Sequence, residues 1–350
     1  MRSRWPGLAA SYVGAVVGGG FASGREMFQF FAAHGTQGLW GAALAGILFA
    51  AAGAIALRRI AVQGHRHCGA LLRDVCGRWL GAALDGVAMV GFLVALAAVV
   101  SAAGALGTLL LRWPRWAGSV SFAIPLAAVS LGGRAAYIRA NLIAATGLIA
   151  AVGFLAAHAV GLWISGPVPP IAPRPAVGPP WALAAVLYVG YNLLLGIAGL
   201  CAAADDVGPR DAGWGGVLGG GILGLLTMAL TFALLSAGGS AGAPGELPLA
   251  SAIAHPWWTS VVFPALLLLA LWTTGAAAAQ GLGQRLQPGR PGPTAAAAVA
   301  AALPIALLGL TILVGTAYPA LGYAGLPLLI GLATVPWRPA APSPPPVPRP

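Results

Sequence analysis

Apolar runs, most of them twenty or more residues long, recur throughout this chain with charges, Pro or Gly marking their ends. They lie at 8–33, 38–57, 82–111, 117–132, 138–164, 181–204, 214–237, 257–284, 294–316 and 318–335. A helix crossing the hydrocarbon core needs about 20 such residues, whereas a barrel strand alternates apolar and polar every second position. The runs therefore predict an all-α membrane protein of ten transmembrane helices. Composition agrees: charged residues are 7% of the 350, and mean hydropathy is +0.87. A soluble domain carries about 25% charge.

The net charge is +11, and every cation is Arg. The absence of Lys excludes lysine-based chemistry. The arginines sit between apolar runs, not on one basic face, which argues against nucleic acid as a partner. Cys68, Cys76 and Cys201 are an odd number without a framework spacing and imply no disulfide scaffold. With the N-terminus inside and all ten runs spanning, fourteen arginines fall on the inner side and Arg112, Arg115 and Arg174 on the outer. That bias predicts a cell-membrane (inner-membrane) protein with both termini cytoplasmic. The first run passes through glycines into Arg25-Glu26 without a small-residue cleavage site, so it reads as a retained helix. Eight prolines between Pro336 and Pro350 predict a disordered cytoplasmic tail over 336–350.

Two motifs recur about half a chain apart. Tyr12-Val13-Gly14 returns as Tyr188-Val189-Gly190. Trp40-Gly41, with Leu44 and Gly46, returns as Trp214-Gly215 with Leu218 and Gly220. Five spans per half would insert the second half in the opposite sense. The expected architecture is a 5+5 inverted repeat, residues 1–165 and 166–335, of the kind common in secondary transporters.

The first run contains Gly18-Gly19-Gly20-Phe21-Ala22-Ser23-Gly24-Arg25-Glu26. Four glycines within seven residues are poor helix, each costing about 1 kcal/mol relative to Ala. Non-helical backbone at membrane depth survives where it lines a cavity. The freed carbonyls suit a small cation and the freed amides a carboxylate; close helix packing through glycine is the competing reading. Glu26 is an intramembrane carboxylate with three readings: proton carrier, outer gate, or structural ion pair. Tyr188, Gly190, Tyr191 and Asn192 interrupt the sixth run, which predicts a second discontinuous helix whose hydroxyl and amide groups orient a polar substrate. Interhelical hydrogen bonding is the alternative. In the eighth run Ala270, Thr273 and Thr274 share one helical face and offer hard oxygen ligands suited to Na⁺, unless the hydroxyls bond their own helix.

The Gly-Gly-Gly-Phe-Ala-Ser-Gly-Arg-Glu string and the following Phe28-Gln29-Phe30-Phe31 resemble the first helix of bacterial YkvI-type membrane proteins, relatives of the amino acid–polyamine–cation superfamily with the LeuT-like fold. Tyr191-Asn192 and Thr273-Thr274 resemble the same pattern. The resemblance implies discontinuous helices 1 and 6 and a cation-coupled carrier. It implies a Na⁺ held by the carbonyls of Gly18, Phe21 and Ala270 and the hydroxyls of Thr273 and Thr274. This sequence departs from the pattern in having Arg25-Glu26 where an Asn often joins a second sodium site.

The substrate, small and amino-acid-like, is expected to contact Ala22, Ser23, Gly24, Tyr188, Tyr191 and Asn192. Arg25 and Glu26 outside, and Asp205 and Asp206 inside against Arg2 or Arg4, are gating candidates, with solvated span ends as the alternative for the aspartates. Asp85 is expected to pair with Arg78 or Arg58. The His65, His67, Cys68 and Cys76 set matches no zinc spacing, so no metal site and no cofactor beyond Na⁺ is expected. No serine–histidine–acid or paired-carboxylate arrangement suggests an enzyme. A proton-coupled carrier using Glu26 and a non-transporting receptor or scaffold remain the rival functions, and the oligomeric state is open.

Overall fold

The computed structural model describes residues 5–64, 68–132, 161, 180–204, 207–237, 245–252 and 259–336. Among them there are helices and turns and no strand. The first run is split into α1 (Trp5–Val16), α2 (Gly19–Ser23) and α3 (Arg25–Phe30), followed by a 3-10 turn at Ala32–His34. Then come α4 (Gln37–Gln63), α5 (Cys68–Cys76), α6 (Arg78–Leu111) and α7 (Arg115–Leu131). The later elements are α8 (Trp181–Ala203), α9 (Pro209–Ala237), α10 (Pro248–Ala252), α11 (Thr259–Leu286), α12 (Pro291–Ala306) and α13 (Leu310–Thr334). Five helices, α4, α6, α9, α11 and α13, are long and apolar enough to cross a bilayer. The fifth predicted run, apart from Gly161, lies outside the described residues, as does the tail beyond Pro336.

Two expectations need correction. The sixth run is one continuous helix, α8, through Tyr188–Asn192. Its Gly190 serves close packing: a Cβ there would lie 3.0 Å from the Gly322 carbonyl oxygen, and a Cβ on Gly325 of α13 would overlap the Gly190 backbone. Such a contact needs small residues but leaves the helical ladder intact. The boundary between the last two runs is also displaced. It falls at Leu307–Gly309, not at Ala317–Pro319, with Gly309 at φ +89°. At the expected boundary α13 carries on through a π-helical stretch, Leu313–Ala317. Pro319 has no N–H to give the carbonyl four residues earlier, so the hydrogen bonding shifts by one residue and the helix continues.

Helix association follows the small-residue rule of membranes. Facing residues on α4 and α9 run in opposite order, Gly46 with Gly224, Ala50 with Gly220 and Ala54 with Gly216, so the two helices are antiparallel. A Cβ on Gly46 would come 2.7 Å from the Gly224 Cα, and one on Gly224 would come 2.6 Å from the Gly46 Cα. Trp40 and Trp214, which open the two helices, are exposed. Charged residues stitch the ends of the bundle. Buried Arg59 of α4 reaches Asp74 of α5 at 3.5 Å and the Val335 carbonyl just past α13. Asp85 of α6 pairs with Arg285 of α11 at 3.1 Å, a partner that the sequence reading did not name. The Arg285 guanidinium also lies 4.9 Å from the Phe92 ring centroid, so one cation serves both a carboxylate and an aromatic face of α6.

Candidate substrate and cation site

The glycine string interrupts the first span as its composition predicts. The α1 ladder ends with the Val17 N–H on the Val13 carbonyl at 2.8 Å. Gly18 is extended (φ −128°, ψ −167°), and α2 begins with the Ala22 N–H on the Gly18 carbonyl at 2.9 Å. Gly24 then turns the chain with φ +77°, a conformation that suits glycine. Its N–H bonds the Phe21 carbonyl at 3.1 Å, and its own carbonyl accepts the Phe28 N–H of α3 at 2.9 Å. Among the described residues, no backbone hydrogen bond is made to the carbonyls of residues 14–17, the free end of α1.

Each of the three consecutive glycines makes room for something specific. A Cβ on Gly18 would overlap Oγ1 of Thr274, one on Gly19 would overlap the Leu271 side chain, and one on Gly20 would overlap Oε1 of Glu26. The break therefore seats α11 on one flank of α2 and folds the Glu26 carboxyl back over the other. The Gly19 N–H, orphaned by the break, donates to Thr274 Oγ1 at 3.0 Å. That hydroxyl in turn donates to the Ala270 carbonyl at 2.9 Å, and Thr273 Oγ1 donates to the same carbonyl at 3.0 Å. Gly18, Ala270, Thr273 and Thr274 are thus brought together. The carbonyls of Gly18 and Phe21 each accept one helical hydrogen bond, which leaves each a further lone pair.

Of the expected substrate contacts, Ala22 and Ser23 are buried in α2. The Ser23 hydroxyl donates to the Gly20 carbonyl at 2.9 Å and accepts the Arg25 N–H at 3.3 Å, so it joins α2 to α3. Gly24 lies under Leu249 of α10; a Cβ there would sit 2.5 Å from the Leu249 Cγ. Asn192 donates its amide to the Tyr188 carbonyl at 2.9 Å, within its own helix.

Tyr188 and Tyr191 join an aromatic cluster. Their rings are 5.6 Å apart, and Phe30 lies 5.4 Å from Tyr188 and 5.6 Å from Tyr191. Phe31 and Phe49 close on Tyr188, and Tyr318 of α13 lies 5.0 Å from Tyr191. The Glu26 carboxyl, with its residue 5% exposed, faces this cluster, and Tyr191 brings its hydroxyl beside it. Oε2 of Glu26 and the hydroxyls of Tyr188 and Tyr191 complete no hydrogen bond among the described residues.

Adjacent Arg25 turns elsewhere. It donates to the Gly245 carbonyl at 3.4 Å, packs 5.7 Å from the Phe28 ring centroid and is drawn toward Glu246. Glu246 itself pairs with Arg115. Asp205 and Asp206 lie outside the described residues. The Cys76 thiol donates to the Pro327 carbonyl at 3.6 Å, and burial pushes its pKa up, away from the thiolate a metal would need. Among the described residues no three His, Cys, Asp or Glu side chains form a metal-binding group.

Tyr318, Phe30 and Thr227 went unassigned in the sequence. Tyr318 sat at a supposed span boundary, and Phe30 read as one of several apolar positions. The hydroxyl of Thr227 on α9 lies beside Tyr188. A polar residue within an apolar run was its available signal.

Helical spans around an interrupted first helix define a multi-pass membrane protein with the LeuT-like fold. Solved structures with this arrangement include a manganese transporter from Eremococcus coleocola, at 16% identity and TM-score 0.62, covering 94% of this chain and 78% of that one. The inward-facing conformation of Mhp1 is similar at 14% identity and TM-score 0.62, covering 93% and 74%. Mhp1, a nucleobase-cation-symport-1 family transporter, is also similar in its closed conformation with bromovinylhydantoin bound, at 16% identity and TM-score 0.59, covering 93% and 76%. No protein-family model and no curated protein matches the chain by sequence.

Proposed function

We propose that the chain is a YkvI-type secondary active transporter of a small, polar, amino-acid-like solute, coupled to Na⁺ and working by alternating access. The observation that carries this reading is the gap in the first span at Gly18, closed by Thr274 of α11. It joins a freed helix end to two threonine hydroxyls within an apolar bundle, a donor set of neutral oxygens suited to a hard monovalent cation. Gly18, Phe21, Thr273 and Thr274 are the proposed ligands. Ala270 joins them once its carbonyl sheds a threonine hydroxyl. The solute lies against Ala22, Ser23, Gly24, Tyr188, Tyr191 and Asn192. The similarity in fold to a manganese transporter and to Mhp1 supports carriage as the activity.

The α4–α9 contact supports a 5+5 inverted repeat in a ten-span bundle. The offset that superimposes Trp40 on Trp214 superimposes Gly46 on Gly220 and Ala50 on Gly224. The contacts Gly46–Gly224 and Ala50–Gly220 are then images of each other, as a two-fold axis between the helices requires. In this reading the first two and the sixth and seventh spans rock against the rest, and both termini are cytoplasmic.

Uptake of radiolabelled amino acids into proteoliposomes, with and without an inward Na⁺ gradient, tests the proposal. Gradient-driven accumulation is expected; uptake indifferent to the gradient overturns Na⁺ coupling, and binding without flux favours a receptor. One observation favours proton coupling as a second reading: Glu26 is buried with Oε2 unpartnered, and no arginine pairs with it among the described residues. A pH gradient would then drive uptake, and Glu26→Gln would abolish it.

A further inference from the structure

In the proposed orientation few arginines face outward, and two of them, Arg112 and Arg115, stand in the turn between α6 and α7. Arg115 is accounted for by its ion pair with Glu246. Arg112 is not: it lies exposed and makes no ion pair among the described residues. It is also the one non-glycine among them with a positive φ, +56°. The residue that ends a helix in this conformation is ordinarily glycine. A chain with 52 glycines nevertheless places arginine here, so the side chain has a use that outweighs the backbone's preference.

The surroundings define that use. Helix α6 has 34 residues, about 51 Å at 1.5 Å each, and outreaches a hydrocarbon core of about 30 Å. Leu109, Leu110 and Leu111 in its last turn are exposed, as are Trp113 and Trp116 beyond it. Exposed leucines suit acyl chains, and indole rings suit the headgroup boundary. The turn is fixed in place. The Trp113 N–H reaches back to the Gly107 carbonyl at 3.4 Å, and the Thr108 hydroxyl donates to the Trp113 carbonyl at 3.0 Å. Behind it α6 and α7 meet backbone to backbone, since a Cβ on Gly118 would lie 3.1 Å from the Gly104 Cα. Two arginines against one glutamate leave the turn net positive. A guanidinium matches a phosphodiester with two parallel N–H donors. A zwitterionic headgroup brings its own cation to a positive turn, whereas an anionic one does not. We infer that residues 112–116 dock an anionic phospholipid: Arg112 takes the phosphodiester, Trp113 and Trp116 flank the headgroup, and Leu109, Leu110 and Leu111 meet the acyl chains. The inference needs only the membrane placement of the chain and goes beyond its reading as a carrier.

The test titrates dioleoylphosphatidylglycerol, dioleoylphosphatidylcholine or water-soluble glycerol 3-phosphate into the purified full chain in neutral detergent. Thermal unfolding is followed by tryptophan fluorescence. A saturable rise in the midpoint is expected with phosphatidylglycerol. Its half-saturating mole fraction should be at least about fivefold below that of phosphatidylcholine, the effect of one arginine at an anionic surface. Glycerol 3-phosphate, which has no acyl chains, should give no rise. Arg112→Gly suits the backbone and should unfold no lower than the parent without lipid, yet lose the preference for phosphatidylglycerol. Arg112→Gln, a second neutral variant, should lose it as well, and Arg112→Lys should keep part of it. Arg78→Gln, at the opposite end of α6, should leave it unchanged. A preference undiminished in Arg112→Gly and Arg112→Gln, or lost equally in Arg78→Gln, overturns the inference. An equal response to glycerol 3-phosphate would reveal a soluble-phosphate site and overturn lipid docking.

Discussion

Thr274 on α11 holds the N-terminal end of the short helix α2 through Gly19: its Oγ1 accepts the Gly19 N–H at 3.0 Å and donates to the Ala270 carbonyl at 2.9 Å. One hydroxyl therefore serves as helix cap and as crosslink between the first and eighth predicted spans. Removing it by Thr274→Ala leaves a buried N–H unsatisfied, at a cost of about 1–3 kcal/mol. Thr274→Ser should recover most of that, since the oxygen returns. Thermal unfolding of the two variants beside the parent protein checks this; equal midpoints in all three would contradict the contact.

Gly24 combines a left-handed backbone with a close neighbour. Gly24→Ala pays about 1–2 kcal/mol for the positive φ and pushes on Leu249. The variant should unfold at lower temperature than the parent. Adding Leu249→Ala should relieve the crowding but not the backbone cost, so the double variant is expected to lose less than the sum of the two single losses. Strict additivity would show that α10 does not rest on Gly24.

The antiparallel pair α4–α9 depends on backbones meeting at Gly46 and Gly224. Gly46→Leu should destabilise by more than the 1–3 kcal/mol of ordinary overpacking, because the obstructing atom is a Cα and not a flexible side chain. Trp40→Leu, at an exposed position on the same helix, should be within about 0.5 kcal/mol of the parent. The contrast is read from denaturation midpoints of the two variants.

The pair Asp85–Arg285 ties α6 to α11. Reversing one charge, Asp85→Arg, sets two guanidiniums against each other and should lower stability. Reversing both, Asp85→Arg with Arg285→Asp, should restore part of it. A double variant no better than the singles would contradict the pairing.

The break in the first span was legible in residues 18–26, because glycine's cost in a helix is local and a run of glycines leaves few alternatives. The sequence could not say what each glycine faced: Gly18 meets Thr274 and Gly20 meets the Glu26 of its own segment. The sixth run misled for a related reason. Gly190 looks the same whether it breaks a helix or admits a neighbour, and the neighbour, Gly325, lies 135 positions away. Arg285 was missed as a partner of Asp85 because proximity along the chain favoured Arg78 or Arg58, whereas Arg285 comes to it from α11 through tertiary packing. Tyr318 was passed over because Pro319 resembles a span end; a π-helical stretch absorbed the missing donor and set the ring on Tyr191.

Saturable binding of radioactive sodium to the purified protein in detergent, displaced by unlabelled Na⁺ but not by K⁺, tests most directly whether the gap at Gly18 is an ion site. Binding is expected in the parent protein, strongly weakened in Thr273→Ala and in Thr274→Ala. An absence of saturable binding, or binding unchanged in both variants, would contradict it.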